Sequence, residues 1–488
     1  MKNLKELLAG LDNFELVGVD EGVAVTHLTH DSREVLTGGL FFAIKGHDIN
    51  GEMFAINAVA RGAVTVVVEE RIANQVPQII VPNVRRAMSL IAKAFYNNVA
   101  DDLTIVGITG TNGKTTTAHV VSHILRSAGF NVGTIGTLGA TYGPGTNPEG
   151  HEFIECELTT PDPIQLHRMF KFMYGEGVRY IVMEASAHAI HLDKLAGINF
   201  QVGVFTNLSQ DHLDFFRNYR HYADTKVNWF DENIRRWVVN VDDMESALIQ
   251  NRFDENSRGL DEFIAYSIDD ASKVKFSATD TRFKIVRTKF RVPLVGRFNL
   301  YNILASINVA LALGLSLKKI RKALKSLPAV PGRFNAVRVG KATAIVDYAH
   351  TPDSLENVIK TCRDIVAGTN RKIITVFGCG GNRDREKRPK MGMIAGKLSD
   401  RVVITSDNPR TEPPLSIMKQ IEAGAKLYTD RYTCIEDRTQ AVHYALSKAR
   451  PGDIVLIAGK GAEPYMDIGG RKIPYSDYEV INLYNSTN

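Results

Sequence analysis

The stretch GITGTNGKTTT, residues 107–117, combines glycine, lysine and threonine in the manner of a phosphate-binding loop. A standard loop, Gly-x-x-x-x-Gly-Lys-Ser/Thr, would have glycine where this chain has Ile108, whereas the upstream glycine here is Gly110. The loop is therefore two residues shorter than the standard form. Backbone N–H groups at such a turn, and the N-terminus of a following helix, attract phosphate oxygens. We expect Lys114 to reach the β- and γ-phosphates of a nucleotide and the Thr115 hydroxyl to lie at a Mg²⁺ ion.

The elements on both sides of this loop are those that phosphate binding requires. LTIVGITG predicts a buried strand, and KTTTAHVVSHILRSAGF predicts an amphipathic helix that ends at Gly129. A glycine-rich turn before a helix, taken alone, indicates only a tight turn. The strand, the helix and the Lys-Thr-Thr sequence together favour a nucleotide-binding loop. Its predicted residues are Gly110, Thr111, Asn112, Gly113, Lys114, Thr115 and Thr116.

The whole chain has the composition and length of a globular protein with several domains. Its 488 residues are 44% hydrophobic and 23% charged, with no apolar run long enough for a transmembrane helix and no signal-peptide pattern. The four cysteines lie far apart, so neither a zinc site nor a disulfide framework is expected. The net charge of +5 is small and gives no reason to expect a nucleic-acid partner. We expect a cytoplasmic monomer without membrane insertion.

Alternating strand-like and helix-like segments run along the chain and predict an α/β fold of three consecutive domains. The first covers residues 1–100. The second, residues 101–332, holds the loop and is expected to be a P-loop-type ATPase domain with a parallel sheet. PAVPGRF, residues 328–334, breaks a helical stretch, and the alternation resumes after it. Residues 333–488 are therefore expected to form a Rossmann-like third domain.

Further motifs follow the shortened loop in a fixed order. They are TTP (159–161), MEASAHA (183–189), TNLSQDHLDF (206–215), YADTK (222–226), GRFNLYN (296–302), PGRF (331–334), DYAHTPD (347–353), GCGGNRD (378–384), DNPR (407–410) and GKGAE (459–463). Together they resemble the Mur ligase family over nearly the whole chain. HDSR (30–33) and GHDINGEMF (46–54) resemble the uridine-nucleotide domain of the branch that adds the third residue of the peptidoglycan stem peptide.

The resemblance implies ligation by way of an acyl phosphate, with ATP and Mg²⁺ as cofactors. Lys114 would compensate charge on the γ-phosphate, and Thr115, Glu184, His212 and Lys226 would serve the metal ions. In the family, the lysine at the position of Lys226 is carbamylated by CO₂, which turns a cation into a carboxylate-like anion. Without the resemblance, Glu184 could be a solvated residue at a strand end, His212 a structural histidine and Lys226 an exposed surface lysine.

The resemblance also assigns residues to the two larger substrates. The acceptor would be UDP-MurNAc-L-Ala-D-Glu, and the chain has Lys194 where the family often has arginine, which grips carboxylates in a bidentate way. The implied contacts to the UDP-sugar end are Ser32, His47, Asp48 and Ile49, those to the muramoyl dipeptide are Thr159, Thr160, Ser186 and Lys194, and those to ATP beyond the loop are Asn299, Asn302, Arg333 and Asp347.

DNPR resembles the motif of family members that add meso-diaminopimelate, because lysine-adding relatives usually lack its arginine. The implied amino-acid pocket consists of Arg383, Asp407, Asn408, Pro409, Arg410, Gly459 and Glu463. If L-lysine left the two arginines unpaired, the preference for diaminopimelate would be roughly 10³-fold or more. A plain Asn-Pro turn would explain DNPR except for Arg410. Many diaminopimelate-adding members have histidine where this chain has Ala462, which keeps L-lysine as an alternative.

Two other functions remain possible from the sequence. A different ligase of the same family, such as a folylpolyglutamate synthetase, would explain the nucleotide loop but would leave HDSR and GHDINGEMF without a role. A non-catalytic nucleotide-binding scaffold would be expected to lose the metal-site residues, whereas Lys114, Glu184, His212 and Lys226 are all present. We therefore expect an active ligase that joins an amino acid to an acidic acceptor.

Overall fold

Three α/β units follow one another along the chain, each built around its own sheet, which confirms the predicted fold class. The computed structural model describes residues 1–46, 50–72, 75–147, 150–255, 261–277 and 279–487. Each of the three large sheets has one hydrophobic cluster on each face, so each unit has a core of its own. The domain boundaries after residues 100 and 332 stay predictions. Within the described ranges, no helix is both long enough and apolar enough to span a bilayer.

The first unit is a small twisted sheet covered by helices. Its strands are β1 (Lys2–Asn3), β2 (Glu15–Val17), β3 (Ala24–Val25), β4 (His27–Thr29), β5 (Gly39–Phe42), β6 (Ala63–Val68) and β7 (Gln78–Ile80), and its helices are α1 (Leu4–Leu8), α2 (Ala55–Ala60) and α3 (Val84–Phe95). The main sheet has the order β2-β7-β6-β5-β4, parallel except for β2. Helix α3 begins where the Asn83 side chain accepts a hydrogen bond from the Arg86 N–H.

The second unit contains the largest sheet. Its strands are β8 (Thr104–Thr109), β9 (Val132–Gly136), β10 (Gly139–Gly143), β11 (Glu152–Ile154), β12 (Tyr180–Glu184), β13 (Phe200–Phe205), β14 (Ile234–Asn240) and β15 (Glu262–Tyr266), and its helices are α4 (Lys114–Ser127), α5 (Pro163–Gly175), α6 (Ala187–His191), α7 (Tyr219–Asn228) and α8 (Ser246–Glu255). The order is β11-β10-β9-β12-β8-β13-β14-β15. All pairs from β9 to β15 are parallel, as predicted, and β10 and β11 add an antiparallel edge.

A three-stranded antiparallel meander follows this sheet, and the helix–strand alternation of the sequence does not anticipate it. The elements here are β16 (Ser272–Phe276), β17 (Thr281–Ile285), β18 (Thr288–Val292), α9 (Arg297–Ala312) and α10 (Leu317–Lys325). Helix α9 packs against α4, and α10 packs against β18 and α4. Helix α9 buries residues around most of its circumference because it packs against α4 and α10 and also against strands β13, β14 and β15 of the large sheet.

The third unit repeats the parallel arrangement. Its strands are β19 (Asn335–Val339), β20 (Ala342–Asp347), β21 (Ile373–Phe377), β22 (Arg401–Ile404), β23 (Tyr432–Cys434), β24 (Ile454–Ala458), β25 (Tyr465–Ile468) and β26 (Arg471–Pro474), and its helices are α11 (Pro352–Val366), α12 (Lys387–Leu398), α13 (Pro414–Ala425), α14 (Arg438–Lys448) and α15 (Asp477–Thr487). The sheet order is β19-β20-β24-β21-β22-β23, parallel except for β19. Every residue of β21 and β24 is buried, as central parallel strands require.

Candidate active site

A cavity of about 590 Å³ lies between the second and third units. The carboxyl ends of parallel strands from both units open into it, which is where open α/β sheets bind ligands. The predicted site residues that line this cavity are Thr111, Asn112, Gly113, Lys114, Thr115, Thr116, Thr159, Thr160, Glu184, Ser186, Lys194, His212, Lys226, Asn302, Arg333, Asp347, Arg383, Asp407, Asn408, Arg410, Gly459 and Glu463. Residues predicted separately from the loop, the strand ends and DNPR therefore meet in one space.

The phosphate loop is held in a conformation that only glycine permits at two positions. Gly110 has φ 142° and Gly113 has φ 90°, both in the region that disfavours other residues. A Cβ atom on Gly110 would collide with Thr206 Oγ1, and one on Gly113 would collide with Asn302 Oδ1. Gly110 supports the loop from behind and is not among the cavity-lining residues of the described chain. The two glycines thus allow the close approach that shapes the loop.

Lys114 is the first residue of α4, and its ammonium turns back onto the loop. Its Nζ atom donates to the carbonyl oxygens of Gly110 at 2.8 Å and Thr111 at 2.9 Å. The side chain is half-buried. Burial lowers the pKa of Lys114, while the carboxylates of Glu184 and Asp211 raise it in part. The group is thus poised in a desolvated place where an anion would be strongly attracted.

Arg333 reaches the loop from the third unit. Its Nη2 atom donates to Thr115 Oγ1 at 3.0 Å, and its guanidinium lies over the Tyr348 ring, 4.3 Å from the centroid. The nearby Asp347 carboxylate accepts hydrogen bonds from the N–H groups of Phe334 and Ala349 at 2.6 and 2.7 Å. Burial raises the pKa of Asp347, and the positive charge of Arg333 counters part of that rise. Arg333 therefore connects the two units at the hydroxyl predicted to serve the metal.

Glu184 ends β12 with its carboxylate directed into the cavity region. The Thr137 N–H donates to Glu184 Oε1 at 2.9 Å, and the Thr137 hydroxyl donates to Oε2 at 3.2 Å. Gly136 permits this approach, because a Cβ atom there would collide with the carboxylate. The side chain is 1% exposed, so it is not the solvated strand-end residue that the sequence left open. Thr137 was not predicted as part of the site.

Lys226 lies on α7 and is buried, with 1% exposure, which excludes the exposed surface lysine considered from the sequence. Its Nζ atom is 4.7 Å from the centroid of the Tyr222 ring. Among the described residues, no carboxylate forms an ion pair with it. Burial lowers the pKa of Lys226 well below its usual value, and the positive charge of Lys114 lowers it further. Burial at the cavity wall thus favours the neutral amine form of Lys226 over the ammonium form.

Asp211 and His212 form the next part of the wall. The two side chains lie 3.4 Å apart, between Asp211 Oδ2 and His212 Nε2. Burial lowers the pKa of His212 to about 3, so its imidazole is neutral at pH 7. Burial would raise the pKa of Asp211, but His350, His212 and Lys387 hold it well below its usual value. His350 and Lys387 come from the third unit, and each lies 3.7 Å from an Asp211 oxygen.

The predicted metal residues suit Mg²⁺ only if further oxygen ligands join them. Within the described ranges, no group of three or more His, Cys, Asp or Glu side chains could hold a metal ion by itself. Thr115 offers a hydroxyl, Glu184 a carboxylate and His212 a neutral imidazole, all at the cavity wall. Mg²⁺ prefers oxygen ligands and usually takes several from substrate phosphates. The donor set therefore fits an ion held jointly by this chain and a bound nucleotide.

The residues predicted for the acceptor form a hydrogen-bonded row beside Glu184. Thr160 Oγ1 donates to the Glu184 carbonyl at 2.8 Å and is hydrogen-bonded to Ser186 Oγ at 3.1 Å. Ser186 also caps α6 by accepting from the Ala189 N–H at 3.3 Å. Lys194 Nζ lies 2.6 Å from Asp162 Oδ1, so this lysine already has a carboxylate partner. A substrate carboxylate would have to share or displace that partner.

Of the remaining residues predicted to contact ATP or the UDP-sugar, only some line the cavity. Asn302 lines the cavity and donates from Nδ2 to Asn299 Oδ1 at 3.2 Å. Asn299 lies beneath it, bonded to the Val295 carbonyl at 2.9 Å, and is not a lining residue in the described chain. Ser32 belongs to a short helical turn of the first unit and is also outside the cavity lining there. The predictions for His47, Asp48 and Ile49 lie outside the described residues.

The third-unit side of the cavity is a network of paired charges. Arg410 donates from Nη1 to the Gly381 carbonyl at 2.8 Å, and its Nε atom is 3.7 Å from Asp467 Oδ2. Glu463 Oε2 accepts from Asn408 Nδ2 and from Lys460 Nζ, both at 2.9 Å. Arg410 therefore already has partners within the chain, which weakens the premise that L-lysine would leave it unpaired. Pro409 supports this loop and is not a lining residue in the described chain.

Arg383 is also already paired, and its partner lies in the second unit. Its Nη1 atom is 3.1 Å from Asp214 Oδ2. Two more contacts join the units: Asn112 Nδ2 donates to Asp353 Oδ2 at 2.8 Å, and Gln210 Nε2 donates to Asp384 Oδ2 at 3.2 Å. The structure therefore has the two units in contact around the cavity.

Several lining residues escaped the sequence analysis. Half of them lie within the quoted motifs and half lie outside, and in both cases only the tertiary fold brings them to the cavity. They are Thr137, Glu157, Leu158, Ala187, His188, Ala189, Leu192, Asp211, Phe298, Tyr348, Ala349, His350, Ser354, Asn357, Val358, Gly380, Lys387 and Tyr465.

The fold and the cavity together define a nucleotide-dependent ligase. The Mur ligase middle domain matches residues 108–310, the Mur ligase glutamate ligase domain matches residues 332–461, and the catalytic domain of the Mur ligase family matches residues 24–96. The UDP-N-acetylmuramoyl-L-alanyl-D-glutamate–2,6-diaminopimelate ligase of Bacillus licheniformis is 39% identical over 98% of both chains. The protein of the same name from Geobacillus thermodenitrificans is 40% identical over 93% of this chain and 94% of its own. The chain belongs to the Mur ligase family and is an ATP-dependent ligase.

Solved structures agree with this assignment. A structure described as UDP-N-acetylmuramoyl-L-alanyl-D-glutamate–2,6-diaminopimelate ligase superposes with a TM-score of 0.68 at 30% identity, over 100% of this chain and 99% of that one. MurF ligase from Thermotoga maritima, solved in complex with ADP, gives a TM-score of 0.60 at 20% identity, over 90% of this chain and 94% of that one. The second similarity concerns the fold alone.

Proposed function

We propose that this chain adds meso-diaminopimelate to the γ-carboxylate of D-glutamate in UDP-MurNAc-L-Ala-D-Glu, as a cytoplasmic step of peptidoglycan synthesis. A carboxylate oxygen is a poor leaving group, so the acceptor must first be activated. Its γ-carboxylate would attack the γ-phosphorus of ATP, giving an acyl phosphate and ADP. The amine of the amino acid would then attack the acyl carbon, and inorganic phosphate would leave as the amide forms.

One observation carries the proposal: a single cavity holds the phosphate loop, the row of acceptor residues and the DNPR pocket. Each reactant would thus contact its own group of residues in the cavity lining. Lys114 would meet the phosphates, Thr160 and Ser186 would meet the dipeptide end of the acceptor, and Arg410 and Glu463 would meet the amino acid. Holding the reacting groups together in one cavity is worth several kcal/mol of the barrier.

Mg²⁺ fits the same wall as a partner of the nucleotide. Thr115, Glu184 and His212 would hold it together with the phosphates, and the ion would neutralise charge that builds up during phosphoryl transfer. Lys226 would contribute after reaction with CO₂. That reaction needs a neutral amine, and burial lowers the pKa of Lys226 well below its usual value. The amine nitrogen would bond to the carbon of CO₂ and release one proton, leaving an anionic carbamate.

The choice of meso-diaminopimelate rests on Arg410 and Arg383 at the cavity. Diaminopimelate differs from L-lysine by a second carboxylate at the far end, and a guanidinium binds a carboxylate in a bidentate way. Ala462 is not a lining residue in the described chain; it packs behind the cavity, where its N–H adjoins Gly332. This position weakens the case for L-lysine, because Ala462 does not reshape the described pocket.

Phosphate release measured with each candidate amino acid, with and without UDP-MurNAc-L-Ala-D-Glu, tests this function. We expect release only when ATP, the acceptor and meso-diaminopimelate are all present. Release with L-lysine at equal or higher efficiency would overturn the amino-acid choice and leave the ligase class intact. Release with a folate acceptor and glutamate, but not with the UDP-sugar acceptor, would instead identify a folylpolyglutamate synthetase.

A further inference from the structure

The positive charge of this chain is concentrated in one part of the sequence. Residues 271–330 contain thirteen Lys or Arg residues and one acidic residue, a net charge of +12 in a chain whose total is +5. All other residues together therefore carry −7. This segment forms the β16–β18 meander, α9 and α10. The small total charge conceals a strongly basic region, and none of its thirteen cationic side chains lines the large cavity in which the proposed ligase reaction takes place.

Part of this charge converges on one concave surface. A pocket of about 360 Å³ lies between β18 and α10 and is lined by Arg287, Thr288, Lys289, Lys318 and Arg321. It shares no lining residue with the large cavity between the second and third units. All four cationic side chains are exposed, and within the described part of the chain none of them forms an ion pair. We call this surface, with the exposed basic face of α10, the basic patch.

Helix α10 is built to present the basic patch outward. Its buried residues Ile320, Ala323 and Leu324 pack into the core. Lys318, Arg321, Lys322 and Lys325 are all exposed and are spaced three and four residues apart, so they lie on one face. The helix has no acidic residue to balance them. Like charges at this spacing destabilise a helix slightly, so the structure bears a cost that an anionic partner would remove.

The turn that joins β17 and β18 adds an apolar tip beside the basic patch. Val286 is 83% exposed and has φ 53°, a conformation that β-branched residues rarely adopt. Lys284, Arg287 and Lys289 follow or precede it within three residues. An exposed apolar residue inside a basic cluster is the combination that peripheral membrane proteins use at the lipid headgroup region.

We propose that the basic patch docks the protein reversibly on an anionic phospholipid surface. The cations would meet headgroup phosphates, and Val286 would enter the boundary between headgroups and acyl chains. Nucleic acid fits less well, because strands are held by exposed aromatic side chains interleaved with cations. Of the three aromatic side chains of the meander, Phe283 and Phe290 are buried against each other, and Phe276 is 39% exposed at the end of β16; none of them lines the basic pocket. A compact anion also fits less well, because the charges extend beyond the pocket along α10.

Vesicle flotation tests the proposal with the full-length protein. Vesicles of phosphatidylcholine alone are compared with vesicles containing about 30% phosphatidylglycerol, at low salt and at about 0.15 M salt. We expect binding to the anionic vesicles to exceed binding to the neutral ones by at least about tenfold, and to weaken as salt rises. Equal binding to both vesicles, or no binding to either, would overturn the proposal.

Charge reversal locates the binding surface. The Lys318→Glu/Arg321→Glu double variant should lower partitioning onto anionic vesicles by roughly thirtyfold or more, because each basic residue near such a surface contributes about fivefold. The matched control is Lys397→Glu/Lys419→Glu, which reverses two exposed lysines on α12 and α13 of the third unit. The control should bind almost as the wild type does. Equal losses in both double variants would show a net-charge effect and overturn the basic patch.

Two further variants keep the test decisive. If the double variant does not fold, Arg287→Glu in the exposed turn reverses one charge of the same pocket without touching a helix. Val286→Asn suits the positive φ and removes the apolar tip, so it should lower vesicle binding about threefold to tenfold and leave phosphate release unchanged. Tight binding to duplex DNA without binding to anionic vesicles would assign the basic patch to nucleic acid and overturn the proposal.

Discussion

The two sides of the large cavity differ in whether their charged side chains have partners within the chain. On the second-unit side, Lys114 bonds only to loop carbonyls and Lys226 has no carboxylate partner among the described residues. On the third-unit side, Arg410 pairs with Asp467, and Glu463 holds both Asn408 and Lys460. Lys114 and Lys226 on the nucleotide side thus have no direct carboxylate partner among the described residues, although Glu184 and Asp211 lie in the same wall, whereas Arg410 and Glu463 on the amino-acid side are already paired. An anion gains much by binding the first side and must exchange partners on the second.

This contrast separates catalytic power from selectivity. Desolvated cations interact strongly with phosphate, so single residues on the nucleotide side should have large effects. Paired groups lose one partner as they gain another, so single residues on the amino-acid side should have smaller effects. Four predictions test the contrast, in order of decreasing expected size.

The largest effect is expected for Lys114→Ala. Loss of this cation from the phosphate loop should lower phosphate release by roughly 10³-fold, because one charge contact in a transition state is worth several kcal/mol. The measurement is ATP-, acceptor- and amino-acid-dependent phosphate release at saturation. Lys397→Ala on the surface of α12 is the matched control and should behave as the wild type. Turnover of Lys114→Ala near the wild-type rate would show that the reaction does not depend on this cation.

Lys226→Ala should follow, with a loss of roughly 10²-fold or more if the lysine acts as a carbamate. Formate or acetate should restore part of the activity, because a small carboxylate can occupy the vacated space. The same salts should not rescue Lys114→Ala, which loses a cation rather than an anion. An equal response of both variants to acetate would contradict the carbamate.

The pairing of Arg410 reduces the expected preference for meso-diaminopimelate over L-lysine from roughly 10³-fold to about 10²-fold in kcat/KM. Arg410→Ala should lose most of this preference while ATP binding is retained. Asp467→Asn removes the partner of Arg410, so it should raise the preference by severalfold. A preference that stays the same in Asp467→Asn would show that the pair does not limit selectivity.

The sequence predicted local features of the site well, whereas it did not predict features that depend on contacts between residues far apart in the chain. The phosphate loop was predictable because a glycine turn between a strand and a helix is a local feature, recorded in neighbouring residues. For Glu184 the local sequence predicted only a strand end, and its role came from the resemblance to the family. The burial of Lys226, the approach of His350 and Lys387 to Asp211 and the pairing of Arg410 depend on residues far away in the chain. The meander β16–β18 was missed because its strands carry charges at many positions and form no continuous apolar run.

The smallest effect is expected at the contact between the two sides. Asp214→Asn removes the partner of Arg383, a partly exposed pair worth about 0–1 kcal/mol, so KM for the amino acid should change by about fivefold at most. A change in KM for ATP alone, without any change for the amino acid, would instead assign Asp214 to the nucleotide side. Asp224→Asn is the matched control, because its carboxylate pairs with Arg220 on the surface of α7.

A rotation of the third unit about PAVPGRF is expected when substrates bind. Small-angle scattering should show compaction when both substrates and an ATP analogue are present. Matching scattering curves with and without these ligands would contradict that motion.

Gly332 and Arg333 give the proposed pivot a second consequence. The turn packs so closely that a Cβ atom on Gly332 would collide with the Ala462 N–H, and the next residue bonds to Thr115 across the cavity. Rotation at this turn would therefore withdraw a cation from the phosphate loop in the same movement that removes the amino-acid pocket. With such a rotation, ATP would meet the complete set of cations only in the closed arrangement, in which the amino-acid pocket is also in place. ATP hydrolysis in the absence of the other substrates would then be slow.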